Sequence, residues 1–358
     1  MLFMKTAVLG AGNGGLACAF DLAQHGREVA LFDLPEFGEQ IAAVAASGSI
    51  TATGDLEGTV PIAYAGHDIA AALDGADVVM VVGPAYATPP MAEIARDHLK
   101  PGMTVVVCPA SCAGALTFQQ VAGLVPGGDI VVGETSTLPY AVRITGPATI
   151  NVFLKLKAGT FVAATPPAGT QAIMDLIGDV WPLERAASVM QTTLQNGNPV
   201  IHPAVSLMNA GPIDRGGDFL FYEDGVTEGV GRLIGAVDAE RLAIAEALGV
   251  SVMSEPQIGM LQGYMLEDNY STSYSTAPGF LGIGAQNKLD HRYLTEDVGY
   301  GLVFLTDLAR RMGVPTPVMD AEITLADTIL GRDFRAEAAR TLDTLGLGDL
   351  GPEELRAL

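Results

Sequence analysis

The sequence predicts two domains: an α/β domain with a parallel sheet at residues 1–188, followed by an all-α domain at residues 189–358. A glycine-rich turn between a strand and a helix opens the chain, and apolar strands then alternate with helical segments. After about residue 190, helical periodicity replaces the strand pattern. The length of 358 residues is sufficient for two domains with large cores.

The glycine-rich turn lies in a specific context. The strand Lys5 to Leu9 leads into the turn GAGNGG at residues 10–15, and a helix from Leu16 to Gln24 follows. A second strand, Glu28 to Phe32, ends at Asp33. This order of strand, GxGxxG, helix, strand and acidic residue predicts a Rossmann-type dinucleotide-binding domain.

The glycines of this turn have separate predicted roles. Gly10 makes the tight turn, Gly12 lets the backbone approach the cofactor pyrophosphate, and Gly15 allows close packing of helix on strand. The free N–H groups of the helix N-terminus face the phosphates. The residues predicted to bind the cofactor are Gly10, Gly12, Asn13, Gly14, Gly15, Asp33 and Pro84.

The end of the second strand favours NAD(H) over NADP(H). Asp33 is expected to accept hydrogen bonds from the adenosine ribose hydroxyls, and its charge would repel a 2′-phosphate. The next residues, Leu34 and Pro35, include no arginine that could hold that phosphate. Arg27 lies near in sequence, so the alternative cofactor stays open at this point.

Apolar runs predict the remaining strands of the α/β domain. Those typical of a buried parallel sheet are Asp77 to Val82, Met103 to Cys108 and Asp129 to Val132, with a helix at Met91 to Leu99. We expect Gly83, Pro109 and Gly133 to follow their strands at the carboxyl edge of the sheet, where such sheets bind ligands. Later strands are predicted at Ile150 to Leu156 and Thr160 to Ala164, both antiparallel, and at Ala187 to Thr193.

The second half of the chain is predicted to form helices. Asp238 is the predicted N-cap of a helix that Gly249 ends. The predicted helices are Asp238 to Leu248, Ser254 to Leu266, Thr295 to Met312 and Val318 to Leu330.

Composition excludes several classes of partner. The chain has 19 basic and 41 acidic residues, a net charge of −22, so we expect neither nucleic acid nor an anionic membrane surface to bind it. A site for an anionic substrate then needs its own cluster of arginine or lysine. Cys18, Cys108 and Cys112 lack metal-ligand spacing, so we expect reduced thiols, no metal and a cytoplasmic protein. The N-terminal apolar residues form a strand rather than a signal peptide, and no apolar run reaches the roughly 18 residues of a membrane span.

His202 is the candidate acid–base residue. It is the one ionisable side chain in residues 196–209, and Pro199 and Pro203 restrain the backbone beside it. Asn198 reads as the N-cap of a buried helix that starts at Pro199, although Pro203 could restart the helix one turn later. Histidine suits general acid–base chemistry near neutral pH, and the interface with the nucleotide domain is its expected place. The alternative is a core histidine hydrogen-bonded to a carbonyl.

Asp297 is the candidate partner of His202. The helix dipole disfavours a cationic histidine at a helix N-terminus, so a proton donor there needs a carboxylate. Thr295 is the predicted N-cap of a helix with Glu296 and Asp297 in its first turn. The alternative is that both acids only stabilise the helix dipole.

Arg292 and Arg143 are the candidate substrate anchors. Arg292 precedes the Asp297 helix, and Arg143 follows a strand at the sheet edge. A guanidinium binds a carboxylate through two parallel hydrogen bonds. The alternative for each is a solvated surface arginine.

Five motifs make the chain resemble the opine dehydrogenases, in order, over nearly its whole length. The type it resembles most is the bacterial N-(1-D-carboxyethyl)-L-norvaline dehydrogenase, with octopine and nopaline dehydrogenases more distant. The motifs are GAGNGG at 10–15, GETSTLPYAVR at 133–143, NxNxVxHP at 196–203, HRYLTEDVGYGLV at 291–303 and VPTPxxDA at 314–321.

The resemblance implies a reductive condensation. An amino acid's amino group attacks the carbonyl of a 2-oxo acid such as pyruvate, water leaves, and NADH reduces the imine to a secondary amine dicarboxylic acid. The family's catalytic His–Asp pair matches His202 and Asp297, and its arginines match Arg143 and Arg292. We also expect a homodimer.

Two alternatives stay open. A ketopantoate-type reductase of a 2-oxo acid shares the architecture but typically depends on a lysine, and Lys155, Lys157 and Lys288 do not lie in a comparable helix-start motif. A nucleotide-binding protein that senses NADH without turnover is the other. The candidate His–Asp–Arg set argues against it.

Overall fold

The structure is a computed structural model that describes residues 4–358. It consists of two compact units, the first ending at Thr192 and the second running from Thr193 to Leu358.

An eight-stranded sheet forms the centre of the first unit. Its order is β12-β11-β8-β7-β6-β1-β2-β5, and the pairs from β8 to β5 are parallel, whereas β11 runs antiparallel to β8. The strands of the unit are β1 Lys5–Leu9, β2 Glu28–Phe32, β3 Ser49–Gly54, β4 Gly58–Pro61, β5 Tyr64–Gly66, β6 Val78–Val81, β7 Thr104–Val107, β8 Val131–Thr135, β9 Tyr140–Gly146, β10 Thr149–Lys155, β11 Thr160–Thr165 and β12 Leu183–Arg185. The predicted fold class of this half is confirmed.

Helices accompany this sheet as the alternating pattern predicts. They are α1 Asn13–Gln24, α2 Gly38–Ser47, α3 Ile69–Leu73, α4 Thr88–Ala95, α5 Gly114–Val121, α6 Thr170–Ile177 and α7 Val189–Leu194. The strands β1, β6 and β7 are almost entirely buried, which explains their continuous apolar sequences.

A second sheet of four strands was not predicted. Its order is β4-β3-β10-β9, with β3 parallel to β10 and the other pairs antiparallel. Its strands alternate buried and exposed side chains, as in the burial of Ile50 and Ala52 on β3, so their sequence signal is weaker. Asn13, at the start of α1, accepts a hydrogen bond from the Ile144 backbone N–H at 2.7 Å and so ties β9 to the glycine turn.

Two predictions at the strands of the first unit are wrong. Gly133 lies inside β8 rather than after it, because the strand continues to Thr135 and pairs with β11 there. The segment Ala187 to Thr193 is not a strand but contains α7, where the hydroxyl of Thr192 donates to the buried Glu134 carboxylate at 2.6 Å.

The second unit is built from helices. They are α8 Asn198–Met208, α9 Ala210–Arg215, α10 Glu228–Leu248, α11 Glu255–Gln262, α12 Thr272–Ser275, α13 Arg292–Thr295, α14 Val303–Met312, α15 Pro317–Leu330, α16 Phe334–Glu337 and α17 Pro352–Arg356. A π-helical turn, Asp297–Leu302, joins α13 to α14. The predicted helical domain is confirmed.

Asp238 is not an N-cap, contrary to the prediction. The helix α10 starts ten residues earlier, where the Thr227 side chain caps it, and Gly249 ends it in a left-handed conformation as predicted. Asp238 is fully buried in mid-helix, where Arg241 and the Tyr270 hydroxyl both donate to its carboxylate. An acidic residue before an apolar run looks the same in sequence whether it caps a helix or pairs inside one.

No helix among residues 4–358 is both long and apolar enough to cross a membrane.

Glu322 on α15 makes stability depend on pH. It is 2% exposed, and neither carboxyl oxygen has a hydrogen-bond partner. Burial, and then the charge of Glu240, raise the pKa of Glu322 from 4.5 to about 8. The unfolded chain therefore loses this proton at lower pH than the folded chain, so stability falls as pH rises from 4.5 to about 8 and stays lower above it.

We predict that Glu322→Gln raises the free energy of unfolding by about 2–4 kcal/mol at pH 8 and changes it little below pH 4.5. Calorimetric melting of both proteins at the two pH values measures the difference. A gain in melting temperature that is equal at both pH values would show that packing, not ionisation, is responsible.

Candidate functional site

His202 lies on α8, fully inside a continuous helix. The N-cap is Gly197 and Asn198 is the first helical residue, so the N-cap predicted at Asn198 is one residue late. The helix passes through Pro203 without restarting, although proline cannot donate to the carbonyl one turn before it. His202 is 6% exposed.

Asp297 begins the π-helical turn. The predicted N-cap at Thr295 is wrong: the helix starts at Arg292, and the side chain of His291 caps it by accepting the Tyr293 N–H. Thr295 is the last residue of α13, so Asp297 lies one turn further into the helix than predicted. A π-helical turn widens the helix locally and is frequent at functional sites.

Two glycines let the π-helical turn pack closely. A Cβ atom on Gly301 would lie 2.5 Å from the Pro199 ring, and one on Gly299 would lie 3.1 Å from the Phe334 ring. Side chains at these two positions would push the turn away from α8 and from Phe334. The absence of a side chain on Gly301 therefore allows the approach that brings Asp297 to His202.

The predicted pair is formed. The His202 Nδ1 atom lies 2.8 Å from Asp297 Oδ2, and Asp297 is 4% exposed. A carboxylate oxygen accepts in such a contact, so Nδ1 is the donor and Nε2 is left to contact another group. Tyr293 stacks on the imidazole at 3.9 Å between ring centroids and Phe221 meets it edge-on at 6.0 Å. The Asp297 contact and these two aromatic rings therefore restrict the orientation of the imidazole.

Tyr222 completes the site and was missed by the sequence reasoning. Its hydroxyl lies 3.3 Å from His202 Nε2. Burial, followed by the nearby Tyr293 and Tyr264, raises the pKa of Tyr222 well above 10, so the hydroxyl is neutral. Its only sequence signal is the aromatic pair Phe221-Tyr222, which is also typical of a core.

The two candidate arginines lie in different units. Arg292 donates from Nε to the buried Glu296 carboxylate at 3.0 Å, and 43% of its side chain is exposed. Arg143 is exposed on β9 and donates to the carbonyl of Val142 at 2.9 Å. Among residues 4–358, Arg143 forms no ion pair, so its guanidinium is available to an anion.

The glycine turn fits a dinucleotide. Gly10 has a φ of +115°, and a Cβ atom there would lie 2.0 Å from the Val82 carbonyl oxygen. A Cβ atom on Gly15 would lie 1.8 Å from the Gly10 carbonyl oxygen, whereas the space beside Gly12 is open to 4 Å. The backbone at Gly12 is therefore accessible to a phosphate group, and α1 begins there without a side-chain cap on its N–H groups.

The other predicted cofactor residues surround this turn. Gly14 packs against the Leu138 side chain, since a Cβ there would lie 3.0 Å from it. Pro84 is the N-cap of a single 3-10 turn that follows β6 after two residues. Asn13 uses its side-chain oxygen on the Ile144 N–H, so that oxygen supports β9.

Asp33 is held against the glycine turn. Its carboxylate accepts from the backbone N–H groups of Ala11 at 2.6 Å and Leu34 at 2.8 Å. Burial raises its pKa, and these two hydrogen bonds oppose the rise. Arg27, the possible 2′-phosphate ligand, instead pairs with Asp179 at 2.6 Å.

Within residues 4–358, no group of three His, Cys, Asp or Glu side chains is arranged to hold a metal ion. The three cysteines are buried thiols.

Comparisons with known proteins give family profiles, relatives and solved structures that are similar to this chain. A family profile described as NAD/NADP octopine/nopaline dehydrogenase, alpha-helical domain, matches residues 185–330, and a profile for an FAD binding domain matches residues 5–95, which include the glycine turn. An opine dehydrogenase of Arthrobacter sp. (strain 1C) is 34% identical over 367 residues, covering 100% of this chain and 99% of the relative. Protein ocs of Agrobacterium vitis is 29% identical over 362 residues, covering 96% of each. An octopine dehydrogenase structure in complex with NADH and agmatine has a TM-score of 0.80 at 19% identity, covering 99% of this chain and 98% of that one.

Proposed function

This chain belongs to the opine dehydrogenase family, and we propose that it condenses a 2-oxo acid such as pyruvate with the amino group of an amino acid, in an NADH-dependent reaction. Members of the family are NAD(P)-dependent oxidoreductases that act on CH–NH bonds. The observation that carries the proposal is the buried hydrogen bond of 2.8 Å between His202 and Asp297.

His202 has three tasks in this reaction. It polarises the oxo group when the amine attacks, donates a proton to the departing hydroxyl so that water leaves, and accepts a proton in the oxidative direction. Asp297 fixes the imidazole orientation and stabilises its cationic form. When bound at the glycine turn, NADH supplies the hydride that reduces the imine carbon.

The product of this reaction carries two carboxylates. Because the net charge of −22 repels anions, the substrate site needs cationic side chains of its own. We propose that Arg143 and Arg292 bind substrate carboxylates. Arg143 has an available guanidinium, and 43% of the Arg292 side chain is exposed where it pairs with Glu296.

The alternative function, a ketopantoate-type reductase that depends on a lysine, agrees less well with this chain than the proposed reaction does. Lys155 pairs with the fully buried Asp21 at 2.7 Å, an ion pair inside the first unit. Its ammonium is therefore held in a structural contact rather than presented to a substrate.

An NADH-oxidation assay separates the possible functions. We expect turnover with pyruvate and an amino acid together, and little with pyruvate alone. Turnover with pyruvate alone would indicate a plain 2-oxo acid reductase. No turnover across twenty amino acids and several 2-oxo acids, with NADH still bound, would indicate a sensor.

We further propose a cytoplasmic homodimer. Leu325 and Ile329, one turn apart on α15, are 43% and 41% exposed, and Met260 and Leu261 on α11 are similarly exposed. Such apolar surface is suited to a subunit contact. Light scattering gives the mass in solution, and a monomer at micromolar concentration would reject the dimer.

Cofactor preference is predicted to favour NADH. The Asp33 carboxylate lies at the glycine turn, Glu36 adds a negative charge near it, and Arg27 is engaged by Asp179. These negative charges would repel a 2′-phosphate. We expect a higher kcat/KM with NADH than with NADPH, and a reduced difference in Asp33→Ser. A higher kcat/KM with NADPH would contradict the role of Asp33.

We predict that His202→Ala lowers kcat by about 10²–10⁴-fold while the protein stays folded and binds NADH. Asp297→Asn keeps the shape of the pair but removes the charge, so a large loss in kcat is expected there too. Steady-state kinetics and NADH fluorescence titration measure both effects. His98→Ala, in a 3-10 turn of the first unit, is the control that should retain activity. Near-normal kcat in His202→Ala would make His202 a core histidine.

The arginine prediction concerns KM. Arg292→Ala and Arg143→Ala should each raise KM for a carboxylate substrate about tenfold or more, with NADH affinity nearly unchanged, because a charged hydrogen bond contributes about 1.5–3 kcal/mol. Arg310→Ala is a matched control for Arg292, since Arg310 also forms a local helix ion pair, with Asp307 at 3.4 Å. An unchanged KM for both substrates would reject the anchor role of the residue tested.

A further inference from the structure

We propose that Tyr222 is a catalytic residue, whose hydroxyl relays the proton between His202 and the substrate. The inference rests on the proposed reaction and adds to it the group that touches the reacting oxygen.

The geometry of His202 leaves one direction for its proton. Asp297 occupies Nδ1 at 2.8 Å, and Tyr293 covers a face of the ring at 3.9 Å. The other ring nitrogen, Nε2, contacts the Tyr222 hydroxyl at 3.3 Å, which is within hydrogen-bond distance. A proton that leaves Nε2 along this contact reaches the oxygen of Tyr222 first.

Tyr222 is held in this position by the rings around it. Phe280 packs on it at 4.4 Å between centroids, Phe221 meets it edge-on at 5.0 Å, and Tyr274 stacks parallel to it at 6.3 Å. The residue is 5% exposed. A substrate could displace the Tyr222 hydroxyl from Nε2 only by moving this aromatic cluster. The packing therefore favours a hydroxyl that stays in place during the reaction over one that the substrate pushes aside.

A neutral tyrosine can donate and accept at once. In the dehydration step, His202 Nε2–H gives its proton to the Tyr222 oxygen, and the Tyr222 O–H gives its own proton to the departing hydroxyl of the substrate. The C–O bond breaks, water leaves, the nitrogen electron pair forms the C=N bond, and His202 becomes neutral. Tyr222 ends with the proton count it began with.

The surroundings of Tyr222 require the two transfers to be concerted. Burial first, and then the nearby negative charge of Asp297, make a tyrosinate at Tyr222 costly. A stepwise path through the anion is therefore disfavoured, and both protons move in one transition state.

The test uses Tyr222→Phe, which removes only the hydroxyl. We expect kcat to fall about 10²-fold, with KM for both substrates and NADH affinity changed less than threefold. Tyr274→Phe is the matched control: its hydroxyl is also buried, lacks a hydrogen-bond partner and does not contact His202, so kcat should be retained. Thermal melting checks that both variants are folded.

A second measurement is the dependence of the rate on solvent deuterium. Initial rates are measured in mixtures of H₂O and D₂O and plotted against the deuterium fraction. The plot should be curved for the wild type, because two protons move together, and linear for Tyr222→Phe. Full kcat in Tyr222→Phe, a lowered KM at unchanged kcat, or a linear wild-type dependence would each overturn the relay. The reaction itself is judged separately, by wild-type turnover with pyruvate and an amino acid.

Discussion

The hydrogen bond between His202 Nδ1 and Asp297 Oδ2 is the constraint on which the helical unit depends. It joins groups 95 residues apart in sequence, at 2.8 Å and away from solvent. The pair forms because Gly301 lets the π-helical turn approach Pro199 at the start of α8. In this low-dielectric setting the carboxylate acts on the imidazole more strongly than it would in water. Removing either partner would leave the other buried without compensation.

Several buried groups close to the pair are neutral at neutral pH. Tyr222, Tyr274 and Phe280 form an aromatic cluster next to His202, and burial raises the pKa of both tyrosines well above 10. Glu255, packed against Gly197 at the start of α8, has its pKa raised to about 8, first by burial. It is therefore mostly protonated at neutral pH. Asp297 is the carboxylate that contacts His202.

Features formed by neighbouring residues were predictable from the sequence, whereas contacts between distant segments were predictable only in part. The glycine turn and Asp33 lie within one strand–helix–strand unit, so their spacing is sufficient to place them. The His202–Asp297 pair was predictable because each residue stands in a distinctive motif. The position of Tyr222, the π-helical turn and the four-stranded sheet depend on contacts between distant segments, which periodicity does not encode. At Asp238 a local pattern was misleading. The sequence predicted a helix cap, whereas Asp238 pairs with Arg241 inside the helix and is buried.

The central claim is that the chain joins an amine to a 2-oxo acid and reduces the resulting imine. Its most direct test is mass spectrometry of the product formed from pyruvate, an amino acid and NADH deuterated at the transferable position. The account predicts a secondary amine dicarboxylic acid with one deuterium on the carbon that came from the oxo group. Deuterated lactate as the sole labelled product, with the amino acid unchanged, would contradict it.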